Sequence, residues 1–220
     1  METVVPQCEN TRIRDNTAHS PVTLLSSLYL APVEYYNRLH RAGDAVIETH
    51  DNYQKQSYRN RCTIAGAAGP LSLSVPVEKP VRAKCRMKDI RIADHGNWRH
   101  LHWNAIVSAY NSTPFFPYYE DDFRPFYEQK VDFLLDWNEM LRQLVCRLIG
   151  IETAVTLTTE YRENVPAHWV DLREAIHPKK RSAYEAAPYY QVFAGKHGFL
   201  PNLSIIDLLF NMGNESRLYL

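Results

Sequence analysis

The chain has 220 residues, which is enough for one large domain with a sizeable core or for two small ones. Its 25 basic and 25 acidic side chains give no net charge, so we expect no nucleic-acid partner. An anionic ligand would have to bind at a local cluster of basic residues. Because the sequence contains no C-x-x-C pair and no apolar run of about 20 residues, we expect a cytoplasmic protein with reduced thiols, no membrane span and no metal or other cofactor.

The N-terminal part of the chain predicts a β-α-β unit. Residues 1–21 are mostly polar and are expected to form a flexible lead-in to a single domain that covers residues 22–220. Residues 22–29 are predicted to form a buried strand, residues 32–42 an amphipathic helix and residues 44–49 a second strand. A short strand-helix-strand unit makes the two strands parallel, so their carboxyl ends lie at one edge, where open α/β sheets bind ligands.

The rest of the chain predicts a hairpin followed by helices. Residues 58–64 and 71–77 flank a Gly-containing turn, and the second run alternates apolar and polar side chains. The elements predicted further along are a strand at 89–92, a helix at 98–110 capped by Asn97, a helix opened by Pro125, a helix capped by Asp136 and ended by Gly150, a strand at 154–159, and a helix at 205–212 capped by Ser204. The predicted fold is α/β: a small, parallel-containing mixed sheet with an N-terminal β-α-β unit and a hairpin, followed by a largely helical C-terminal half.

The densest polar stretch directly follows the second predicted strand and begins at His50. Lys55, Arg59 and Arg61 supply three cations, and in a strand the two arginines would point to the same face. Two guanidinium groups on one face can grip a phosphate or carboxylate, and the helix that starts at Pro32 adds its positive dipole end. His50 is the candidate for proton transfer, because imidazole exchanges protons near neutral pH. The alternative is a solvated polar loop followed by a strand with an exposed basic face.

Motifs in a fixed order carry a family resemblance over roughly residues 24–160. They are an aromatic-x-K-x-x-aromatic-x-N-R-x-x-I run at 53–64, a strand ahead of a basic loop at 73–77, an I-x-I…W-x-x-x-H pattern from Ile90 to His102, and a closing "N…L-G-I" helix at 138–151 with Ile149 where leucine is usual. In this order they resemble the motifs of the WbqC-like protein family. One position departs from the pattern: the family's opening His-Gln-Pro aligns with residues 26–28, so Ser26 stands where the family has histidine.

The resemblance implies an enzyme of bacterial surface-glycan and nucleotide-sugar metabolism. We expect a transferase with a phosphate-bearing small-molecule substrate, and acyl or aminoacyl transfer to an amino sugar is one form of that reaction. The residues expected to form its site are His50 and His102 for catalysis and Tyr29, Asn52, Lys55, Tyr58, Arg59, Asn60, Arg61 and Trp98 for substrate binding. The alternative is a non-catalytic module that binds an anionic metabolite or a partner protein, and the oligomeric state stays open.

Three further clusters have two interpretations each. His100 and His102 are two residues apart and do not share a helix face, so no metal site is indicated, whereas Trp98 and His102 do share a face. The basic run at 177–181 is either a flap over a phosphate-bearing ligand or a solvated loop. The aromatic run at 115–119 is either a wall on which bases stack or core between helices.

Overall fold

The structure, a computed structural model, describes residues 21–79 and 84–220. Residues 1–20 of the predicted lead-in lie outside the described residues, as do residues 80–83 of the basic loop that follows the strand at 73–77. The strands are β1 (Thr23–Ser26), β2 (Asp44–Glu48), β3 (Arg61–Gly66), β4 (Gly69–Ser74), β5 (Ala154–Leu157) and β6 (Val170–Asp171). The helices are α1 (Val33–Arg41), α2 (Trp98–Tyr110), α3 (Phe116–Glu128), α4 (Leu134–Ile149), α5 (Ala194–His197) and α6 (Ile205–Met212), with 3-10 turns at Met87–Asp89 and Gly213–Tyr219.

Four strands form a parallel sheet in the order β5-β2-β1-β6. The predicted parallel pairing of the first two strands is confirmed, with Leu25 opposite Ile47. β6 also runs parallel to β1 but lies on the side away from β2. The chain therefore leaves β1 in one direction and returns to the opposite side of β1, which makes the gap between β1 and β6 a topological switch point.

The sequence of the two central strands explains why they are buried. β1 is buried along its whole length and β2 along all but its first residue, as expected for parallel strands covered on both faces. Their apolar residues are followed at the carboxyl ends by buried polar side chains, Ser26 in β1 and Glu48 in β2. Asp51 follows shortly after Glu48 and is also buried. Burial of polar groups is costly without partners, so this edge of the sheet must be organised by hydrogen bonds and ion pairs.

The predicted hairpin is present as a separate antiparallel pair, in which Arg61 lies opposite Ser74 and Gly66 opposite Gly69. The φ angle of Gly69 is +113°, a value that side-chain-bearing residues rarely adopt, so glycine suits the turn. The first strand begins at Arg61, three residues later than predicted. Arg59 therefore precedes the strand, and the expected shared strand face of Arg59 and Arg61 does not form.

The predicted helical C-terminal half is confirmed, with differences at several boundaries. Pro125 does not open a helix, because α3 already begins at Phe116 and continues through it. Asp136 lies in the first turn of α4 rather than at its cap. Asn97 precedes α2 in a left-handed conformation, and its side chain makes no capping hydrogen bond. The strand predicted at 89–92 is replaced by a 3-10 turn at Met87–Asp89 and isolated β-bridges.

One hydrophobic cluster extends from Leu25 to Leu220 and joins the sheet to the helices. The aromatic run at 115–119 contributes to it, since Phe116 is 2% exposed and packs edge-on against Phe210 of α6. The core interpretation of that run is therefore confirmed for Phe116. In the part of the chain that the structure describes, every helix is too short or too polar to cross a membrane.

Candidate functional site

A polar cleft of about 320 Å³ lies at the carboxyl ends of the central strands. Asp51 comes shortly after β2 and Asp171 ends β6, so the cleft opens at the switch point between β1 and β6. Its lining consists of Asp51, Tyr161, Asp171, Arg173, Glu174, Ala175 and Lys180. A larger cavity of about 530 Å³, lined in part by Asp94, Trp98 and Lys130, lies near the start of α2 and shares no lining residue with the cleft.

A buried ion pair between Arg59 and Asp51 borders the cleft. The two side chains are 2% and 8% exposed. Nη2 of Arg59 donates to Oδ2 of Asp51, to Oγ of Ser26 (3.2 Å) and to Oε1 of Glu174 (3.4 Å). The backbone carbonyl of Arg59 accepts a hydrogen bond from Nδ2 of Asn138 (2.9 Å), which ties this segment to α4. Arg59 is therefore held rigidly and already neutralised.

The pair is not fully satisfied. Within the described residues, Oδ1 of Asp51 and Nε of Arg59 are buried and have no hydrogen-bond partner. Burial raises the pKa of Asp51 above its ordinary value, although Arg59 and the hydrogen bond from Ser26 act in the opposite direction. A buried carboxylate with a partner for only one of its oxygens favours any further positive charge that reaches the second oxygen.

A second network surrounds the carboxylate of Glu48, which is fully buried at the end of β2. Its Oε1 accepts hydrogen bonds from the backbone N–H of His50 (2.9 Å) and from Oγ1 of Thr158 (2.8 Å). Its Oε2 accepts from Nη1 of Arg173 (3.3 Å), and Arg173 also pairs with Asp171 through Nη2 and Nε. The hydrogen bonds from Arg173 lower the pKa of Asp171, so this carboxylate stays ionised.

The hydroxyl of Thr49 connects this network to the imidazole of His50. Oγ1 of Thr49 lies 2.9 Å from the carbonyl oxygen of Thr158 and 2.8 Å from Nδ1 of His50. If the hydroxyl donates its one proton to the carbonyl, it can only accept from the imidazole. Nδ1 of His50 then carries the ring proton, and Nε2 keeps its lone pair. The arrangement suits a group that takes up a proton.

The charges in and directly beneath the cleft do not balance. They are the carboxylates of Glu48, Asp51, Asp171 and Glu174 and the cations of Arg59, Arg173 and Lys180. Four carboxylates against three cations leave one formal negative charge in excess. Among the described residues, no cluster of three or more His, Cys, Asp or Glu side chains is arranged to hold a metal ion.

A sequence model of the WbqC-like protein family matches residues 27–184. The chain belongs to this family. It is also similar to the uncharacterised protein Rv1507c of Mycobacterium tuberculosis, with 24% identity over 226 residues that cover 90% of this chain and 96% of that protein. No solved structure matches the chain. The family match contains every residue that lines the cleft, so this WbqC-like chain carries the cleft inside the segment that its family shares.

The structure brings some of the predicted site residues to the cleft of this WbqC-like protein. Arg59 contacts Asp51 and Glu174 in its wall, and His50 immediately precedes Asp51, although neither Arg59 nor His50 is among the lining residues. Ser26, which we expected at the position of the family's histidine and which directly precedes the matched segment, accepts a hydrogen bond from Arg59 and lies 3.2 Å from Oδ2 of Asp51. The departure predicted from the motifs therefore lies next to a residue that lines the cleft.

Other predicted site residues lie elsewhere or are used within the fold. Nε of Arg61 donates to Oγ of Ser74 across the hairpin (3.0 Å), and Nδ2 of Asn60 donates to the carbonyl of Val75 (2.8 Å). Asn52 and Lys55 are exposed, and Tyr58 is half-buried with its carbonyl bonded to the N–H of Tyr29. The grip of two arginines on one anion is therefore absent from this geometry.

The N-terminus of α1 also differs from the prediction. The N–H of Val33 donates to the carbonyl of Leu203, and the N–H of Glu34 donates to Oδ1 of Asn202 (both 2.9 Å). Pro32 forms a β-bridge with Ser204 in the same segment. The C-terminal part of the chain thus occupies the helix end that was expected to face a ligand.

His102 and Trp98 are packed inside the protein rather than in the cleft. Both are nearly buried and meet edge-on, with ring centroids 5.1 Å apart, as their spacing on one helix face predicts. Nδ1 of His102 lies 3.3 Å from the hydroxyl of Tyr29, which in turn lies 2.8 Å from the hydroxyl of Tyr127. Burial lowers the pKa of His102 to about 4, so its imidazole is neutral at physiological pH.

Several cleft residues carried a signal in the sequence that was not used. Asp51 lies in the polar stretch directly after a predicted strand, and Arg173 and Glu174 follow Val170 and Leu172, the two apolar residues on either side of Asp171. The basic run at 177–181 does reach the cleft, since Lys180 lines it and its Nζ donates to the carbonyl of Glu174. The partner strand β6 has only two residues, so no periodic pattern could reveal it.

Proposed function

We propose that this WbqC-like protein is a cytoplasmic transferase of bacterial surface-glycan or nucleotide-sugar metabolism. In the form we favour, it transfers an acyl or aminoacyl group to the amino group of a phosphate-bearing sugar. The observation that carries this proposal is the polar cleft at the switch point, which has charges of both signs in its lining; His50 directly precedes the lining residue Asp51 in the chain. Open α/β sheets bind their substrates at this position.

The basic side chains around the opening are suited to the phosphate groups. Lys180 lines the cleft, and the neighbouring Lys179 and Arg181 are exposed. Arg59 and Arg173 are already paired with carboxylates, so we assign them to shaping the floor rather than to gripping an anion. Phosphates would therefore sit at the rim, where solvent lowers the cost of bringing charges together.

His50 is the group we assign to proton transfer. The amine nitrogen would attack the carbonyl carbon of an activated acyl donor, and the bond from that carbon to the leaving oxygen or sulfur would break. One proton of the attacking amine would pass to Nε2 of His50 and then to the leaving group, so atoms and charges balance. General acid–base assistance of this kind is worth about 10²–10⁴ in rate.

A transfer assay tests the proposal directly. The protein is incubated with nucleotide-linked amino sugars and with acyl or aminoacyl donors activated as thioesters or esters, and mass spectrometry detects the acylated sugar. His50→Ala should lower kcat about 10²-fold or more with little change in KM. The matched control is His95→Ala, because His95 is exposed and lies outside the cleft.

Two results would count against the proposal. Turnover that is unchanged in His50→Ala would remove His50 from the mechanism. A nucleotide-linked sugar that stabilises the protein strongly but is never acylated, with any donor of these classes, would favour the non-catalytic binding module instead.

A further inference from the structure

We infer, on the basis of the transferase site proposed above, that Asp51 and Glu174 form a subsite for the protonated amino group of the substrate. The subsite lies in the cleft at the switch point, where both carboxylates belong to the lining. It adds to the proposed reaction a negatively charged element that recognises the acceptor: the cleft should select a sugar with a free amine over the same sugar with that amine acylated.

The unpartnered oxygen of Asp51 is the first support. The side chain is only 8% exposed yet lines the cleft, and its Oδ1 has no hydrogen-bond partner among the described residues. Leaving a buried acceptor unpaired costs free energy, and an N–H donor from a ligand would recover it. Since Oδ2 is held by Arg59 and Ser26, the position of the carboxylate is fixed, and Oδ1 is the oxygen left for a ligand that enters the cleft.

The charge of the surroundings is the second support. The cleft and the groups beneath it hold one more carboxylate than cation, and Asp171 is already occupied by several hydrogen bonds from Arg173. Arg173 is shared by Glu48 and Asp171, and Arg59 is shared by Asp51 and Glu174, so each guanidinium group faces two carboxylates. Both oxygens of Glu48 and of Asp171 have hydrogen-bond partners, whereas Oδ1 of Asp51 has none among the described residues. A ligand that brings a compact positive charge neutralises the surplus, whereas a second anion at the same place would be repelled.

The two carboxylates suit an ammonium group. An ammonium group carries up to three N–H donors and needs a few carboxylate oxygens around it. Glu174 is 55% exposed, so it can adjust its position when a ligand enters, while Asp51 stays fixed. Before transfer, the bound ammonium group loses one proton to solvent. The neutral amine that results attacks the acyl donor and passes its second proton through His50 to the leaving group. Product release follows from the same contacts, because the amide that forms carries no positive charge.

The test compares two ligands that differ only at the amine. Dissociation constants of UDP-glucosamine and UDP-N-acetylglucosamine are measured by calorimetry at pH 6.5 in low salt, without any acyl donor. We expect the sugar with the free amine to bind about tenfold more tightly, because its ammonium group forms a charge-assisted hydrogen bond in a buried site. Glu174→Gln should narrow the preference to a few-fold, and Asp51→Asn should abolish it.

Glu163→Gln is the control, because Glu163 is exposed and outside the cleft, and it should keep the preference of the unaltered protein. If Asp51→Asn does not fold, Glu174→Gln still decides, since its side chain is largely exposed. Equal binding of the two sugars, tighter binding of the acetylated one, binding of neither, or an equal effect of Glu163→Gln would overturn the inference. A clear amine preference without transfer would leave the subsite standing while the proposed reaction fails.

Discussion

His102 should make the stability of the protein depend on pH in a range where most of its carboxylates do not titrate. The imidazole is 7% exposed, and burial lowers its pKa to about 4. In the unfolded chain the pKa of histidine is about 6.5, so the unfolded state binds more protons between these two values. The free energy that His102 contributes by staying neutral is present above about pH 6.5 and is lost as the pH falls toward 4.

The size of the effect follows from the two pKa values. A difference of about 2.5 units corresponds to about 3.4 kcal/mol in full, of which about 2 kcal/mol is lost between pH 7 and pH 5. Urea unfolding followed by tryptophan fluorescence measures it, because Trp98 and Trp137 lie in the same aromatic cluster. With an ordinary dependence on urea, the midpoint should fall by about 1 M over this pH interval.

Two variants isolate the contribution of His102. His102→Gln keeps a polar partner for Tyr29 and should show a pH dependence that is flatter by about 2 kcal/mol. His100→Gln, at an exposed position of the same helix, should keep the dependence of the unaltered protein. Burial also lowers the pKa of His40 and His177, and their effect cancels because all three proteins contain them. Equal pH dependence in His102→Gln, or an NMR titration of His102 near 6.5, would refute the reasoning.

Three further outcomes are expected. Arg59→Met should destabilise the protein by about 3–5 kcal/mol, because Asp51 is left charged and buried. Arg91→Ala removes only exposed ion pairs and should cost about 1 kcal/mol or less. Urea midpoints compare the two variants, and equal costs would contradict the buried pair. Thr49→Val should lower kcat of the proposed transfer by about tenfold or more and alter its pH profile, while Thr49→Ser restores both; an unchanged profile would show that the hydroxyl does not set the proton position on His50. Gly150→Ala should cost about 1–2 kcal/mol in thermal or urea unfolding, because φ at Gly150 is +78°, and a neutral result would contradict the left-handed end of α4.

The parallel pairing of β1 and β2 could be predicted because local signals agreed. A short apolar run, an amphipathic helix and a second apolar run leave few arrangements, and the right one follows from connection rules. The same pairing predicted the edge of the sheet at which the polar cleft lies. Residue pairing within that edge could not be predicted, because Asp51 and Glu174 are 123 positions apart and meet only through Arg59.

The role expected for the basic cluster was the weakest part of the sequence reasoning. Lys55, Arg59 and Arg61 are close in sequence, so their charges were interpreted as one anion-binding cluster. In the structure they separate: Arg59 turns into the protein, Arg61 lies on the hairpin and Lys55 is exposed. Whether a cation is available to a ligand depends on its partners, and the partners of Arg59 come from distant strands that a local pattern does not contain.

Elements without periodic sequence were also missed. β6 is two residues long and pairs with β1 only after a loop that follows β5. Pro125 indicated a helix start because proline is favoured in a first turn, yet it lies inside α3, where helix packing outweighs the lost N–H. Local sequence patterns therefore predicted the central β-α-β unit correctly, but they predicted the first and last residues of several helices and strands less accurately.

Hydrogen exchange measured by mass spectrometry, with and without a nucleotide-linked amino sugar, tests most directly that the switch-point cleft is the ligand site. We predict slower exchange in peptides that cover residues 48–59 and 171–180, and unchanged exchange around residues 94–100 and 127–130, which border the larger cavity. Protection confined to the larger cavity, with none at the cleft, would contradict the account.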